Sequence, residues 1–456
     1  MDLHNKISKL SKDELVELIM YLIDGDEDVE KKLEYKLISP DDEVKASKQL
    51  IRKYINENKW RGYISWRNVH ASLQGADMVL GKGRTKLVNG EEETAIQLGL
   101  TVLSMVMDML QYTDDSGGEI GFVVNRSISL LKDASSLVLV SKDYHVQDKS
   151  FELILKEAMQ KRYDGFSDTR FDLLEVCTIY SGRPSIRTKL EETLEKLLSQ
   201  VSKAASWSVN YEQQAIRRLQ LKVMETNGEF DQVGQFIYQN LQYSDFRKMA
   251  IEKELDESNF DAALKLCQDG EKNDSMYPGL VKDWKSYRLQ IYERQDDTEK
   301  QKELLLDFVY ANDYESYAKL KDLCSKQEWE TVVEQLFDTF EKRDRYLPNV
   351  YQYIAQEENR TDKLLLYCEK SPITIMDLYP YLLDDYPDRA EEIFTAYLQK
   401  EAEAAGNRKQ YRNVCKKLKR FHSAFGDATF AELVAELKRT YERKPAFVNE
   451  LEKVEI

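Results

Sequence analysis

Histidine and cysteine are the residue types best suited to nucleophilic and metal chemistry, and in this chain their spacing serves neither. His4, His70, His145 and His422 lie far apart, with no HExxH pair. Cys177, Cys267, Cys324, Cys368 and Cys415 form no CxxC or CxH pair. Odd in number and widely spaced, they fit reduced, buried thiols of a cytoplasmic protein, not a disulfide framework. Neither a GxSxG elbow nor a GxxxxGKS/T phosphate loop occurs. The reading therefore assigns no catalytic residue, no metal ligand and no cofactor, and expects a non-enzymatic role.

Two short stretches offer binding chemistry of a weaker kind. Gly81-Lys82-Gly83-Arg84-Thr85-Lys86 mixes glycines with cations, as phosphate cradles do. No strand precedes it, and it reads as a flexible basic loop running on to Asn89-Gly90. Asp114-Asp115-Ser116-Gly117-Gly118-Glu119 supplies oxygen donors without the alternating calcium-loop pattern, and reads as a capped, solvated turn.

The sharpest charge feature is near the C-terminus. Arg408, Lys409, Arg412, Lys416, Lys417, Lys419 and Arg420 are seven cations within thirteen residues, with no acid among them, on a chain of net charge −16. Tyr411, Val414, Cys415, Leu418 and Phe421 occupy the other side of the same predicted helix. Lys438, Arg439, Arg443 and Lys444 continue the basic character. Such a face serves either as the polar exterior of a terminal repeat or as a docking patch for phosphate or an acidic partner.

The elements that must carry these groups are helical. Only 18 glycines and 8 prolines punctuate 456 residues, too few for the frequent turns of a many-stranded β-protein. Ser11 with Glu14 forms a capping box ahead of Leu15, Leu18, Ile19 and Leu22. Ser39-Pro40-Asp41-Asp42 breaks the chain. Four apolar stripes follow: Leu50 to Ile55, Val69 to Leu80, Ile96 to Leu110 and Val123 to Leu137. The most apolar stretch, Thr94 to Tyr112, is interrupted by Gln97, Gly99 and Asp108 and reads as a buried helix, not a membrane span. Further breaks are expected at Tyr163-Asp164-Gly165 and Ser181-Gly182-Arg183-Pro184.

From Tyr211 onward a helix–turn–helix unit recurs. Its turns are placed at Gly228-Glu229-Phe230, Ser258-Asn259-Phe260, Gln295-Asp296-Asp297, Gln327-Glu328-Trp329, Asn359-Arg360-Thr361 and Tyr386-Pro387-Asp388. Successive turns are roughly 27 to 36 residues apart, in the range of tetratricopeptide-like repeats. In the clearest unit Asn259 reads as the N-cap, Ala262 and Ala263 as a close-contact face, and Gly270 as the left-handed stop. The 27 tyrosines suit repeat seams, where a ring is buried and its hydroxyl stays wet, or a tyrosine-lined groove. The fold class expected is all-α, an α-solenoid of stacked helical hairpins (tetratricopeptide- and HEAT-like). An N-terminal helical domain would occupy 1–145, connecting helices 146–210 and the repeats 211–456.

Three C-terminal segments carry a resemblance. They are Tyr386 to Phe394, Tyr411 to Arg420, and Phe430 to Phe447 with its Tyr441-Glu442-Arg443-Lys444-Pro445-Ala446-Phe447 ending. Together they resemble the helical region that follows the zinc finger in bacterial SWIM zinc-finger proteins. Asn210 to Phe340, with Phe260 to Leu264 and Trp284, is similar in layout. The resemblance implies a helical-repeat fold and an association with nucleic-acid-handling machinery. It carries over no zinc ligand, because the CxC and CxH pairs of a SWIM finger are missing here.

The function expected from these readings is a scaffold that binds a protein or peptide on the concave face of its repeats. The alternative is a nucleic-acid-associated protein docking through the Arg408–Arg420 helix. No membrane partner is expected, since the acidic total repels anionic surfaces at long range.

Overall fold

The structure is a computed structural model, and it describes residues 3–24, 30, 33, 35, 43–141, 143–201, 207–343 and 346–454. The expected break at Ser39–Asp42 lies outside them. Among the described residues the chain is all-α, with short 3-10 turns and two isolated bridges as the only other regular structure. It divides into two compact units, Met1–Lys253 and Glu254–Ile456. Residues 145 and 210, where the sequence reading placed its boundaries, both lie inside the first unit.

The first unit holds α1 (Leu3–Ile7), α2 (Lys12–Ile23), α3 (Glu43–Glu57), α4 (Val69–Val88), α5 (Glu92–Met109) and α6 (Glu119–Ser141). It continues with α7 (Tyr144–Ala158), α8 (Ser167–Thr178), α9 (Pro184–Gln200), α10 (Trp207–Thr226), α11 (Phe230–Gln239) and α12 (Ser244–Asp256), which contains the division. From α3 to α11 consecutive helices pack as hairpins, and α4–α6, α6–α8 and α8–α10 also meet. Each hairpin therefore buries against the next, as stacked helical units require. At α2 the predicted capping box is present, Ser11 and Glu14 each accepting the other's backbone N–H.

α5 and the 3-10 turn after it, Glu92–Tyr112, are long and apolar enough to cross a membrane. Their apolarity has a use within the unit: Ala95, Ile96, Leu98, Val102, Leu103 and Val106 are fully buried in its core. α4 approaches its neighbours closely because glycine removes a side chain at two crossings. A Cβ at Gly75 would stand 3.1 Å from both the Ile51 Cα and the Leu50 carbonyl oxygen, and one at Gly83 would stand 2.7 Å from Leu130.

The second unit holds α13 (Phe260–Asn273), α14 (Pro278–Arg294), α15 (Thr298–Tyr310), α16 (Tyr314–Leu323), α17 (Lys326–Arg343) and α18 (Asn349–Glu357). It ends with α19 (Thr361–Lys370), α20 (Ile375–Leu382), α21 (Pro387–Ala404), α22 (Arg408–Thr440) and α23 (Pro445–Glu452). α22 is two helices in one, broken at Gly426, whose φ is 81°. This unit too is a stack of helical hairpins, the α-solenoid class that the repeat spacing predicted.

One device ends six of the described helices. Gly90, Gly228, Ser258, Asp296, Asn312 and Asn359 all have positive φ. After each, the next N–H bonds to the carbonyl five residues back: Glu91 to Lys86 (2.9 Å), Glu229 to Met224 (3.1 Å), Asn259 to Glu254 (2.8 Å), Asp297 to Tyr292 (3.0 Å), Asp313 to Phe308 (3.0 Å) and Arg360 to Ala355 (2.8 Å). These are Schellman stops, in which a left-handed residue lets the last carbonyls find donors. Four of them fall at turns the sequence predicted.

Other turns need correction. Asn312 was not among the predicted turns. Gln327–Trp329 lies inside α17, because Ser325 and Glu328 form a capping box that starts the helix at Lys326, one residue before the predicted break. Gly270 does not stop α13. It sits inside the helix, where the indole of fully buried Trp284 lies 2.9 Å from the place a Cβ would take, with its Nε1 donating to Asp274 (2.8 Å). Of the two alanines proposed for a close contact, Ala263 is buried and Ala262 is exposed. Leu137, assigned to an apolar stripe, is exposed as well.

Candidate functional site

The basic stretch Gly81–Lys86 is not a loop. It lies inside α4, and only Asn89-Gly90 forms the turn. The reason is a buried carboxylate. Glu43, 3% exposed at the start of α3, takes Lys82 (3.1 Å) and Lys86 (3.0 Å) on one oxygen, and both lysines are themselves largely buried. Lys86 also reaches Glu91 (2.6 Å), which holds its ammonium above its usual pKa. Two of the three cations that suggested a phosphate cradle thus close an internal cluster, and the third, Arg84, pairs at the surface with Asp133 of α6. The Asp114–Glu119 stretch is a loop, as read, and its carboxylates cap it: Asp114 accepts from the Ser116 N–H (3.1 Å) and Asp115 from the Ile120 N–H (3.0 Å).

The histidines stay apart. His70 pairs with Glu119 (3.0 Å), His145 is exposed in the first turn of α7, and His422 pairs with Asp427 (2.5 Å). The His4 side chain lies outside the described residues. Among those residues no group of three His, Cys, Asp or Glu side chains is placed to hold a metal ion. All five cysteines are free, and all but Cys324 are buried. Burial pushes the Cys368 and Cys415 thiols up to about 11, and the Cys177 thiol up as well. Thiols so shifted are poor nucleophiles at neutral pH.

The seven-cation helix is largely spent inside its own unit. Arg408 (3.4 Å) and Arg412 (3.5 Å) both reach Glu450 of α23, a buried carboxylate that Lys453 also meets at 2.9 Å. Those cations hold Glu450 below the usual carboxylate range, the Lys453 hydrogen bond contributing most. Lys417 bonds Glu401 (2.5 Å) and the Tyr397 hydroxyl. Arg420 reaches Asp377 (3.2 Å). Lys409, Lys416 and Lys419 are exposed and make no ion pair among the described residues. The residues that carry the SWIM resemblance are mostly packing residues: Ala390, Phe394, Leu418 and Phe447 are fully buried, and the Tyr411 ring stacks on Phe447 at 4.7 Å.

The tyrosines differ in burial. Tyr163, Tyr317 and Tyr351 bury their rings and donate to Glu157 (2.8 Å), Glu358 and Glu341 (2.8 Å). Glu358 in turn takes Lys321 (2.7 Å) and the Trp329 indole N–H (3.0 Å). Partial burial works against its charge, and these three donors outweigh burial, leaving its pKa lowered. Tyr346 and Tyr381 face solvent.

One groove lies in the first unit, at residues the sequence reading passed over. α8, α10 and α12, drawn from successive hairpins, enclose about 390 Å³. Phe171, Ala215, Leu219 and Met249 give it an apolar floor. Charged groups rim it: Arg218 pairs with Asp245 (2.7 Å), Lys132 of α6 with Glu175 (2.6 Å), and the Tyr211 hydroxyl donates to Asp168 (2.6 Å). That bond, with some burial, raises the Tyr211 hydroxyl to about 12. Asp172 differs from the others. It is half-buried, accepts no hydrogen bond among the described residues, and has a raised pKa. Desolvation is the main cause, with Glu175 and Asp168 adding to it and Lys132 opposing it. Its sequence signal was present: Asp168, Asp172 and Glu175 follow at spacings of four and three, which puts three carboxylates on one helix face.

No protein-family model matches the chain, and no curated protein matches it. Among solved structures it is similar to a circular tandem repeat protein, described as having a novel repeat topology and enhanced subunit contact surfaces. That likeness is 13% in sequence, covers 97% of this chain and 94% of the other, and has a TM-score of 0.22. At that score the superposition is poor, and the all-α assignment stands on the helices themselves.

Proposed function

We propose that this protein is a non-enzymatic scaffold that binds an extended segment of a protein partner in the α8–α10–α12 groove. The observation that carries the reading is Asp172, a partly desolvated carboxylate lacking a partner among the described residues, above an apolar floor built by three alternate helices. A backbone with a Lys or Arg beside Asp172 and an apolar residue over Leu219 would satisfy both. An apolar floor under a charged rim can bury a partner's apolar side chain and pair its charges. The free, buried cysteines accord with a reducing, cytoplasmic setting.

The basic helix is a weaker candidate for nucleic acid. Four of its seven cations already pair with carboxylates of their own unit, so phosphate contacts would have to come from Lys409, Lys416 and Lys419 or break existing pairs.

The test is photo-crosslinking in cells from a reactive residue placed at Ala215. A discrete protein adduct, lost when Asp172 is replaced by Arg, is expected. Equal adducts from Ala215 and from an exposed position on α9, such as Thr188, would refute the groove assignment.

A further inference from the structure

The first unit carries a second surface built for recognition, at the connection between α3 and α4. Trp60 and Tyr63 exchange backbone hydrogen bonds (2.8 and 3.0 Å) around Arg61 and Gly62, whose φ values are 49° and 87°. That is the two-residue hairpin turn with both central residues left-handed. Asn or Asp is the favoured first residue there, and Arg at positive φ is held at a cost of about 1–3 kcal/mol. The turn is anchored: Ile64 is fully buried, donates to the Tyr112 carbonyl and accepts from the Asp114 N–H (3.0 Å each). Lys59 lies over the Tyr112 ring at 3.4 Å.

On this fixed base the rings stand in solvent. Trp60 is 75% exposed, Trp66 58% and Tyr63 50%. Arg61 lies over the Trp60 ring (5.9 Å) and Arg67 over the Trp66 ring (5.2 Å). Residues 58 to 68 include three cations and no carboxylate. Trp, Tyr and Arg are the types that dominate binding hot spots, and rings already held in place lose little freedom on binding.

We propose that this turn docks an acidic protein segment, one with carboxylates for Arg61 and Arg67 flanking an apolar side chain that packs between Trp60 and Trp66. Charge complementarity selects carboxylates. A long polyanion fits less well, because Asp114 and Asp115 flank the turn across the Ile64–Thr113 bridge and leave room for only a short acidic segment.

The experiment selects from a random peptide library on the full-length protein, then measures labelled peptides by fluorescence anisotropy. Enriched peptides should pair Asp or Glu with an aromatic or aliphatic residue. Their affinity should fall about 30-fold in Trp60→Ala/Trp66→Ala and in Arg61→Glu/Arg67→Glu, the loss typical of a hot spot. Far-UV circular dichroism confirms that both variants fold, as exposed side chains should allow. An Ala215→Trp variant, which fills the α8–α10–α12 groove, should bind these peptides normally, which separates this surface from the groove. The proposal is overturned if no acidic motif is enriched, if the double variants bind as the parent does, or if oligo-dT or anionic vesicles displace the peptides and bind more tightly.

Discussion

Two glycines on one helix should respond to alanine with opposite signs. Gly75 and Gly81 both lie inside α4, six residues apart. At Gly81 an added Cβ meets nothing within 4 Å. Alanine there gains only helix propensity, about 1 kcal/mol. In a unit of this size that is worth roughly 2–4 °C of melting temperature. At Gly75 the new methyl would lie 2.9 Å from Tyr54 Cδ2 and 3.1 Å from two backbone atoms of α3. A ring can turn aside, but the Ile51 Cα and Leu50 carbonyl retreat only if the helix does. Overpacking costs about 1–3 kcal/mol. Taking the upper end for backbone and subtracting the propensity gain leaves about 2 kcal/mol of net loss. The two variants should therefore differ by about 3 kcal/mol. Thermal and urea unfolding followed by far-UV circular dichroism measures both. If Gly81→Ala destabilises, the Gly81–Lys86 segment is not helical. If Gly75→Ala stabilises, α3 and α4 do not cross as closely as described.

Glu43→Ala should cost about 3 kcal/mol or more, since it leaves two largely buried ammonium groups short of a carboxylate. Urea denaturation checks this, and a loss under 1 kcal/mol would show that Lys82 and Lys86 reach water. The lowered pKa of Glu358 adds stability that is present above its unfolded value and fades as pH falls through the folded one. Glu358→Gln should accordingly lose stability at pH 7 and show a flatter acid limb below about pH 4.5, the onset set by the usual carboxylate value. A parent-like pH profile would contradict the bonds that Tyr317, Lys321 and Trp329 donate to Glu358. Asp172 has the opposite sign: its raised pKa means that ionisation disfavours the folded state above both pKa values and has no effect below them. Asp172→Asn should therefore raise the melting temperature at pH 7, leave it unchanged near pH 3, and weaken capture by the groove. A lower melting temperature at pH 7 would show that Asp172 has a partner.

Much of the local structure was legible in the chain. The Ser11–Glu14 box and the stops at Gly228, Ser258, Asp296 and Asn359 depend on residues within one turn of each other, so short-range pattern finds them. Asn312 escaped because the reading placed one turn per two-helix unit, and Asn312 closes the intervening connection between α15 and α16. The groove escaped for a different reason. Its floor and rim come from three helices separated by whole hairpins, and nothing local in Asp172 says that Phe171 and Leu219 will desolvate it. The exposed turn at Trp60–Tyr63 was passed over because apolar residues are expected inside.

The sequence by itself determined an all-α chain of helical hairpins and where most of them end, because periodicity and capping act through neighbours along the backbone. Tertiary structure alone decided what the charges do. Lys82 and Lys86 became internal because Glu43 is buried beside them, and four cations of the C-terminal helix were taken up by Glu450, Glu401 and Asp377. A side chain's formal charge is fixed by its type, but whether that charge faces a partner or solvent depends on elements distant in sequence. That difference moved the candidate sites from the basic segments to Asp172 and the Trp60–Trp66 turn.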